Sequence, residues 1–99
     1  MYAFIQDVPI NEELYAKIRA NLGSEPLPGL LVHLVVRRED GLLRYIDVWE
    51  SKEACNETFE KRIHPAVFGA FKDAKFRPSG EPSRAELTVV DLMRGRSSP

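Results

Sequence analysis

Short apolar runs alternate with polar, helix-like segments along the 99-residue chain. The first run, residues 2–8, is aromatic and β-branched and predicts a strand. Asn11 then has the residue type of a helix N-cap, and apolar side chains recur every four residues at Leu14, Ile18 and Leu22. The chain is therefore predicted to begin with a strand and an amphipathic helix.

Two further β-type runs, residues 30–38 and 42–50, are separated by a short turn. The turn, residues 39–41, ends in glycine, which suits a three-residue hairpin loop with its last residue in the left-handed conformation. Such a loop pairs His33 with Asp47 across the hairpin, whereas a two-residue turn would pair His33 with Val48. We favour the first register.

A second amphipathic helix follows the hairpin. Ser51 is its N-cap, and Cys55, Phe59 and Ile63 fall on one face. The helix is expected to end or kink at His64-Pro65, because proline disfavours helical geometry in the residue before it.

A short helical piece starting at Pro65 and a strand over residues 85–93 complete the pattern. The order β-α-β-β-α-β defines an α+β, ferredoxin-like fold, in which both helices cover one face of a four-stranded antiparallel sheet. The chain is long enough for one domain, which we assign to residues 1–94, with residues 95–99 as a loose tail.

Strand parity divides the hairpin into two faces. The even positions are uniformly aliphatic and are expected to face the helices: Val32, Leu34, Val36, Ile46 and Val48. The odd positions are then expected to line the opposite face together with Tyr2 and Phe4: Leu31, His33, Val35, Tyr45, Asp47 and Trp49. That face is too apolar to remain exposed, so we expect a homodimer in which two sheets close a dimeric α/β barrel around a pocket.

Composition excludes several classes of function. A net charge of −1 and a pI of about 6.1 argue against nucleic acid as a partner. The single cysteine, Cys55, allows no intrachain disulfide. With one cysteine and two histidines far apart in the sequence, we expect no metal site built by the protein. Without an export signal or a long apolar segment, we expect a cytoplasmic protein that does not bind membranes.

The segment Leu43-Arg-Tyr-Ile-Asp-Val-Trp-Glu-Ser51, followed by a Lys-Glu-Ala helix, resembles the antibiotic-biosynthesis monooxygenase-like branch of the dimeric α/β-barrel proteins. The resemblance implies the barrel and makes Trp49 a match for the cavity tryptophan of that branch. The chain departs from its catalytic sets. Tyr45 stands where quinone-forming members have asparagine, and Phe59 and Glu60 stand near the histidine position of haem-degrading members.

The candidate chemistry is proton removal without a bound cofactor. His33 has the residue type of a general base, and Asp47 could orient its ring and stabilise the imidazolium. We predict that Trp49, Tyr45, Tyr2 and Phe4 hold a hydrophobic ligand of aromatic or polyketide-like character, which a monooxygenase, cyclase or isomerase would convert. The alternative is a non-catalytic binding or interaction module of the same fold, in which these side chains pack the dimer core.

Overall fold

The structure, a computed structural model, describes residues 1–95. Of the predicted tail, residues 96–99 lie outside the described residues. The elements in chain order are β1 (Tyr2–Val8), α1 (Glu12–Leu22), β2 (Leu30–Arg37), β3 (Leu43–Trp49), α2 (Lys52–Thr58), a π-helical segment (Phe59–Ile63), α3 (His64–Ala74) and β4 (Ala85–Leu87).

The four strands form one antiparallel sheet in the order β2-β3-β1-β4. In this order β3 lies between β1 and β2, which run parallel to each other. That arrangement is the split βαβ topology of the ferredoxin-like fold. The predicted fold class is thus confirmed.

Local signals in the sequence place the helix starts and the hairpin loop. The side chains of Asn11 and Ser51 accept hydrogen bonds from the backbone N–H groups of Leu14 (2.9 Å) and Ala54 (3.0 Å), so both predicted N-caps are confirmed. In the hairpin, the N–H of Arg38 donates to the carbonyl of Leu42 at 2.7 Å, which leaves a three-residue loop. Its last residue, Gly41, has φ of +84°, as the favoured loop requires.

The second helix does not end where it was expected to. It passes through a π-helical turn at Phe59–Ile63 and continues as α3, with Pro65 in the first turn. The N–H of His64 donates to the carbonyl of Phe59, five residues earlier. Pro65 has no N–H to donate to the preceding turn. The helix nevertheless continues through Pro65, and its irregularity is the π turn before this residue.

The last strand is shorter than predicted. Only Ala85–Leu87 pair with β1, whereas the prediction extended to residue 93. Beyond Leu87 the described chain leaves the sheet, and Val90 and Met93 are 94% and 84% exposed. These apolar side chains led to the prediction of a strand, but no other part of residues 1–95 covers them.

The assignment of the two sheet faces was wrong. Tyr15 of α1 contacts His33, and Val35 and Tyr45 pack against the buried cluster to which α1 and α3 contribute, so the helices cover the odd-numbered face. Val32 and Leu34, which were expected beneath the helices, are 37% and 49% exposed. We call the uncovered, even-numbered face the open face: Val32, Leu34, Val36, Ile46 and Val48. A bulge at Leu31 also shifts the pairing at the start of β2, so that Leu30 lies opposite Trp49.

Two groups of buried side chains hold the helices on the sheet. One lies between α1, α3 and the carboxyl end of β1, and the other surrounds Trp49, Phe4 and Phe59. The face-sharing of β1 with the hairpin was predicted correctly, since Tyr2 pairs with Trp49 and Phe4 with Asp47. None of the helices within residues 1–95 has the length and apolar character needed to cross a membrane.

Candidate active site

His33 and Asp47 are cross-strand neighbours on the helix-covered face, in the predicted register. Nδ1 of His33 lies 2.6 Å from Oδ1 of Asp47. Because a carboxylate can only accept, Nδ1 carries the proton of the neutral imidazole, and Nε2 presents its lone pair away from the strand. The Asp47 side chain is 3% exposed and that of His33 is 27% exposed, so the base can be reached while its partner is shielded.

Trp49 holds the second oxygen of the same carboxylate. Its indole N–H donates to Oδ2 of Asp47 at 3.1 Å, two residues along β3. Trp49 is fully buried. Both Asp47 oxygens are therefore paired, which meets the requirement for a carboxylate placed among aromatic side chains. The geometry makes Trp49 a support for Asp47 as well as part of the cavity wall.

Tyr15 of α1 completes the chain of polar groups and was not among the predicted site residues. Its hydroxyl lies 3.1 Å from Nε2 of His33, and its ring stacks on the imidazole. With Nδ1 protonated, the Tyr15 hydroxyl donates to Nε2. Burial raises the pKa of Tyr15, with Arg19 acting in the opposite direction, so the phenol remains a donor at neutral pH. Tyr15 precedes Ile18 by three residues and Leu22 by seven, which places it on the inner face of α1. This spacing could have identified Tyr15 from the sequence.

Tyr45 packs edge-on against both rings of this chain, with its ring centroid 5.1 Å from His33 and 5.9 Å from Tyr15. Burial, together with the neighbouring Tyr15 and Asp47, raises the pKa of Tyr45 strongly. The phenol is thus neutral under ordinary conditions. Tyr45 can restrict the imidazole ring and donate a hydrogen bond to a ligand, but it cannot serve as an anion.

These groups border a cavity of about 460 Å³ between the sheet and the helices, which we call the His33 cavity. Its polar lining consists of His33, Asp47, Tyr15, Arg19, Ser24 and Glu25, and the rest of its walls are mainly aromatic and aliphatic: Ile18, Leu22, Leu27, Leu30, Tyr45, Trp49, Phe59, Ile63 and Val67. A mostly apolar cleft with a few convergent polar groups is typical of small-molecule sites. The cavity lies within one chain, not on the open face where the sequence placed it.

The π-helical segment shapes this cavity. Phe59 and Ile63 mark its two ends, and both side chains line the cavity wall. In an α-helix, residues four apart stack on one face, whereas the wider turn rotates them relative to each other. Such turns are frequent at functional sites.

Tyr2 and Phe4 stand beside this cavity and do not line it. Both are buried in the group around Trp49 and Phe59, where the guanidinium of Arg84 lies 4.9 Å from the Phe4 ring centroid and 4.5 Å from that of Phe59. Arg84 also donates to the Tyr2 hydroxyl at 3.3 Å. The structure thus brings together four predicted residues, His33, Asp47, Trp49 and Tyr45, and places Tyr2 and Phe4 behind them.

Nothing in the described part of the chain forms a metal centre. Residues 1–95 contain no cluster of three or more His, Cys, Asp or Glu side chains arranged to hold a metal ion. His64, the second histidine, does not line the His33 cavity, and its Nε2 lies 3.1 Å from the carboxylate of Glu81.

Comparison with known proteins supports the fold. No protein-family model matches the sequence, and no curated protein matches it significantly. A crystal structure from Chloroflexus aurantiacus J-10-fl, assigned as an antibiotic biosynthesis monooxygenase, superimposes with a TM-score of 0.63. The match covers 94% of this chain and 96% of that one at 20% identity. The resemblance predicted from the Trp49 segment is thereby confirmed at the level of the fold: this is a ferredoxin-like domain whose fold is similar to that of this antibiotic biosynthesis monooxygenase structure.

Proposed function

We propose that the protein binds a hydrophobic small molecule of aromatic or polyketide-like character in the His33 cavity and removes a proton from it with His33. The observation that carries the proposal is the hydrogen-bonded series Asp47–His33–Tyr15 at the wall of a largely apolar cavity. A buried carboxylate fixes the tautomer of the base, and the unprotonated Nε2 accepts a hydrogen bond from Tyr15 at the cavity wall.

In the proposed step, a phenol or enol hydroxyl of the substrate takes the place of the Tyr15 hydroxyl at Nε2 of His33. The proton moves to Nε2, and the electron pair stays on the substrate as a phenolate or enolate. The resulting imidazolium is stabilised by Asp47 at 2.6 Å. A resonance-stabilised anion of this kind can react with O2, close a ring or accept a proton at another carbon. Cofactor-free monooxygenation, cyclisation and isomerisation are the corresponding reaction classes.

The test is a screen of phenolic and polyketide-like compounds for turnover, with oxygen uptake followed in parallel. His33→Ala is expected to lower kcat by about 10²- to 10⁴-fold, as loss of a general base does. Asp47→Asn should also lower kcat while ligand affinity changes less. Asp7→Asn is the matched control, since Asp7 is a half-exposed carboxylate paired with Arg44 on β3 at 2.6 Å, outside the cavity.

Turnover that both His33→Ala and Asp47→Asn leave unchanged would refute the base. Tight binding without turnover of any compound would instead favour the alternative, a non-catalytic ligand-binding module of the same fold.

We further propose that the protein is a homodimer formed through the open face. Val32 and Leu34 are exposed there on β2, Leu87 is exposed on the edge strand β4, and Val90 and Met93 are exposed in the chain that follows β4. Exposed apolar surface of this kind is typical of an interface. Two copies related by a twofold axis would cover each other's open faces and close an α/β barrel.

A cytoplasmic location is part of the same proposal. Cys55, the only cysteine, is fully buried and unpaired among the described residues. A free thiol in the core suits a reducing compartment.

A further inference from the structure

A second cavity of about 260 Å³ lies next to the His33 cavity, between the carboxyl end of β1, α3 and the loop at residues 78–82. Five side chains line both cavities: Ile18, Tyr45, Phe59, Ile63 and Val67. The two spaces are therefore separated only by side chains, with the Tyr45 ring and the π-helical turn at the partition. We call this space the second cavity.

The lining of the second cavity is almost entirely apolar. Its aliphatic and aromatic side chains include Val8, Ile10, Phe68 and Phe71. Three polar side chains at its border, Gln6, His64 and Glu81, already have partners within the protein. The Gln6 amide donates to the carbonyl of Pro82 at 2.8 Å, and Nε2 of His64 lies 3.1 Å from the Glu81 carboxylate. An apolar group of a ligand that enters this space is stabilised because it leaves water, whereas a polar group would find few hydrogen-bond partners.

The two cavities thus differ in chemistry while sharing a wall. The His33 cavity contains the polar chain, and the second cavity offers mainly hydrocarbon contacts. One molecule that fills both must carry an acidic hydroxyl at one end and an apolar extension at the other.

We propose that the second cavity binds an alkyl extension of the ligand whose hydroxyl contacts His33, so that alkyl-substituted phenols or enols are the preferred substrate class. This inference rests on the proposed function, because it takes the hydroxyl end of the ligand to lie in the His33 cavity. In this arrangement the extension runs past the Tyr45 ring and the π-helical turn, whose side chains line both cavities.

The first experiment measures the affinity of 4-alkylphenols, from phenol to 4-hexylphenol, through the fluorescence of Trp49, the single tryptophan. Each methylene buried in the second cavity is expected to tighten binding about fourfold. Phenol binding that shows no gain along the series would overturn the second cavity as a ligand site and leave the proposed function standing.

Variants of the loop test the location. Pro78 lines the second cavity and its neighbour Ser79 lines neither cavity, and both are exposed, so substitution at either position leaves the core intact. Pro78→Phe should reduce the gain per methylene to less than twofold. Ser79→Phe, the matched control, should keep the wild-type series. Equal series in the two variants would contradict the assignment.

A third measurement separates this inference from the proposed function. Calorimetry with 1-hexanol, which has an alkyl chain and no phenol, probes the second cavity directly. Hexanol binding that Pro78→Phe weakens at least tenfold and Ser79→Phe does not would support the second cavity even if no phenol bound. Absence of binding by both hexanol and 4-hexylphenol would overturn it.

Discussion

The indole N–H of Trp49 and the imidazole of His33 bind opposite oxygens of one carboxylate, Asp47, at 3.1 and 2.6 Å. The tryptophan therefore does more than fill space beside a ligand. By occupying Oδ2 it leaves Oδ1 to His33 and fixes the plane of the carboxylate. Trp49 thus positions the base through Asp47.

Replacing Trp49 by phenylalanine should destabilise the fold, because it leaves Oδ2 of Asp47 buried without a donor and removes part of a fully buried ring. We expect a loss of about 2–4 kcal/mol in the free energy of unfolding. Urea denaturation followed by far-UV circular dichroism measures it, since the variant has no tryptophan fluorescence. The same substitution in an Asp47→Ala background should cost at least about 1 kcal/mol less. Equal costs in the two backgrounds would show that the hydrogen bond contributes nothing.

Cys55 is expected to make the stability of the protein fall at alkaline pH. Burial raises the pKa of its thiol from 9.0 to about 11, with Arg84 opposing the shift. Above pH 9 the unfolded chain therefore loses the thiol proton before the folded chain does, and the unfolded state gains stability. The contribution of Cys55 is complete below pH 9 and is lost as the pH rises to 11, by on the order of 2 kcal/mol.

Cys55→Ala isolates this effect. The variant should be less stable at pH 8 because it loses packing, yet its stability should fall less between pH 9 and 11 than that of the wild type. Denaturation at a series of pH values, under reducing conditions, gives the comparison. Parallel pH profiles would contradict the shifted thiol.

Much of the fold could be predicted because its signals are local. Asn11 and Ser51 cap helices through their own side chains, and Gly41 fixes the hairpin loop. The loop in turn fixes the register that brings His33 to Asp47. Each step depends on residues close in sequence, which is why the most important pair of the candidate site could be derived without a structure.

The covered face could not be predicted in the same way. Both faces of the hairpin carry apolar residues, so strand parity separates two sets without showing which one the helices cover. Uniformly aliphatic positions such as Leu34 suggested a core, whereas polar His33 suggested an exposed face. The reverse holds because the space beneath α1 is a cavity, and Tyr15, far away in sequence, provides the polar partner that His33 needs there. The π-helical turn has no comparable local signal.

The open face should control the oligomeric state. Leu34 is 49% exposed at the centre of β2, so Leu34→Asp would place a charge within the proposed interface. The wild type is expected to sediment at twice the chain mass of 11.3 kDa, and the variant as a monomer. Phe68→Asp is the matched control, because Phe68 is 63% exposed on α3, on the helical side of the molecule. A monomeric wild type, or equal dissociation in both variants, would exclude this interface.

The π-helical segment should tolerate the deletion of one residue at the expense of ligand binding. A π turn accommodates one extra residue within a helix, so removing exposed Glu60 is expected to restore α-helical bonding while the inner faces of α2 and α3 keep their orientation. Thermal unfolding should then shift by no more than the equivalent of about 1 kcal/mol. Phe59 and Ile63 would change their relative orientation in the wall of the His33 cavity, and affinity for a bound phenol should fall at least tenfold.

Deleting exposed Lys17 from the uninterrupted helix α1 is the control. It rotates Ile18 and Leu22 by about 100° away from their contacts and should unfold the domain. If the Glu60 deletion unfolds the protein as completely as the Lys17 deletion does, the π turn is required for folding and is not a local adaptation of the cavity.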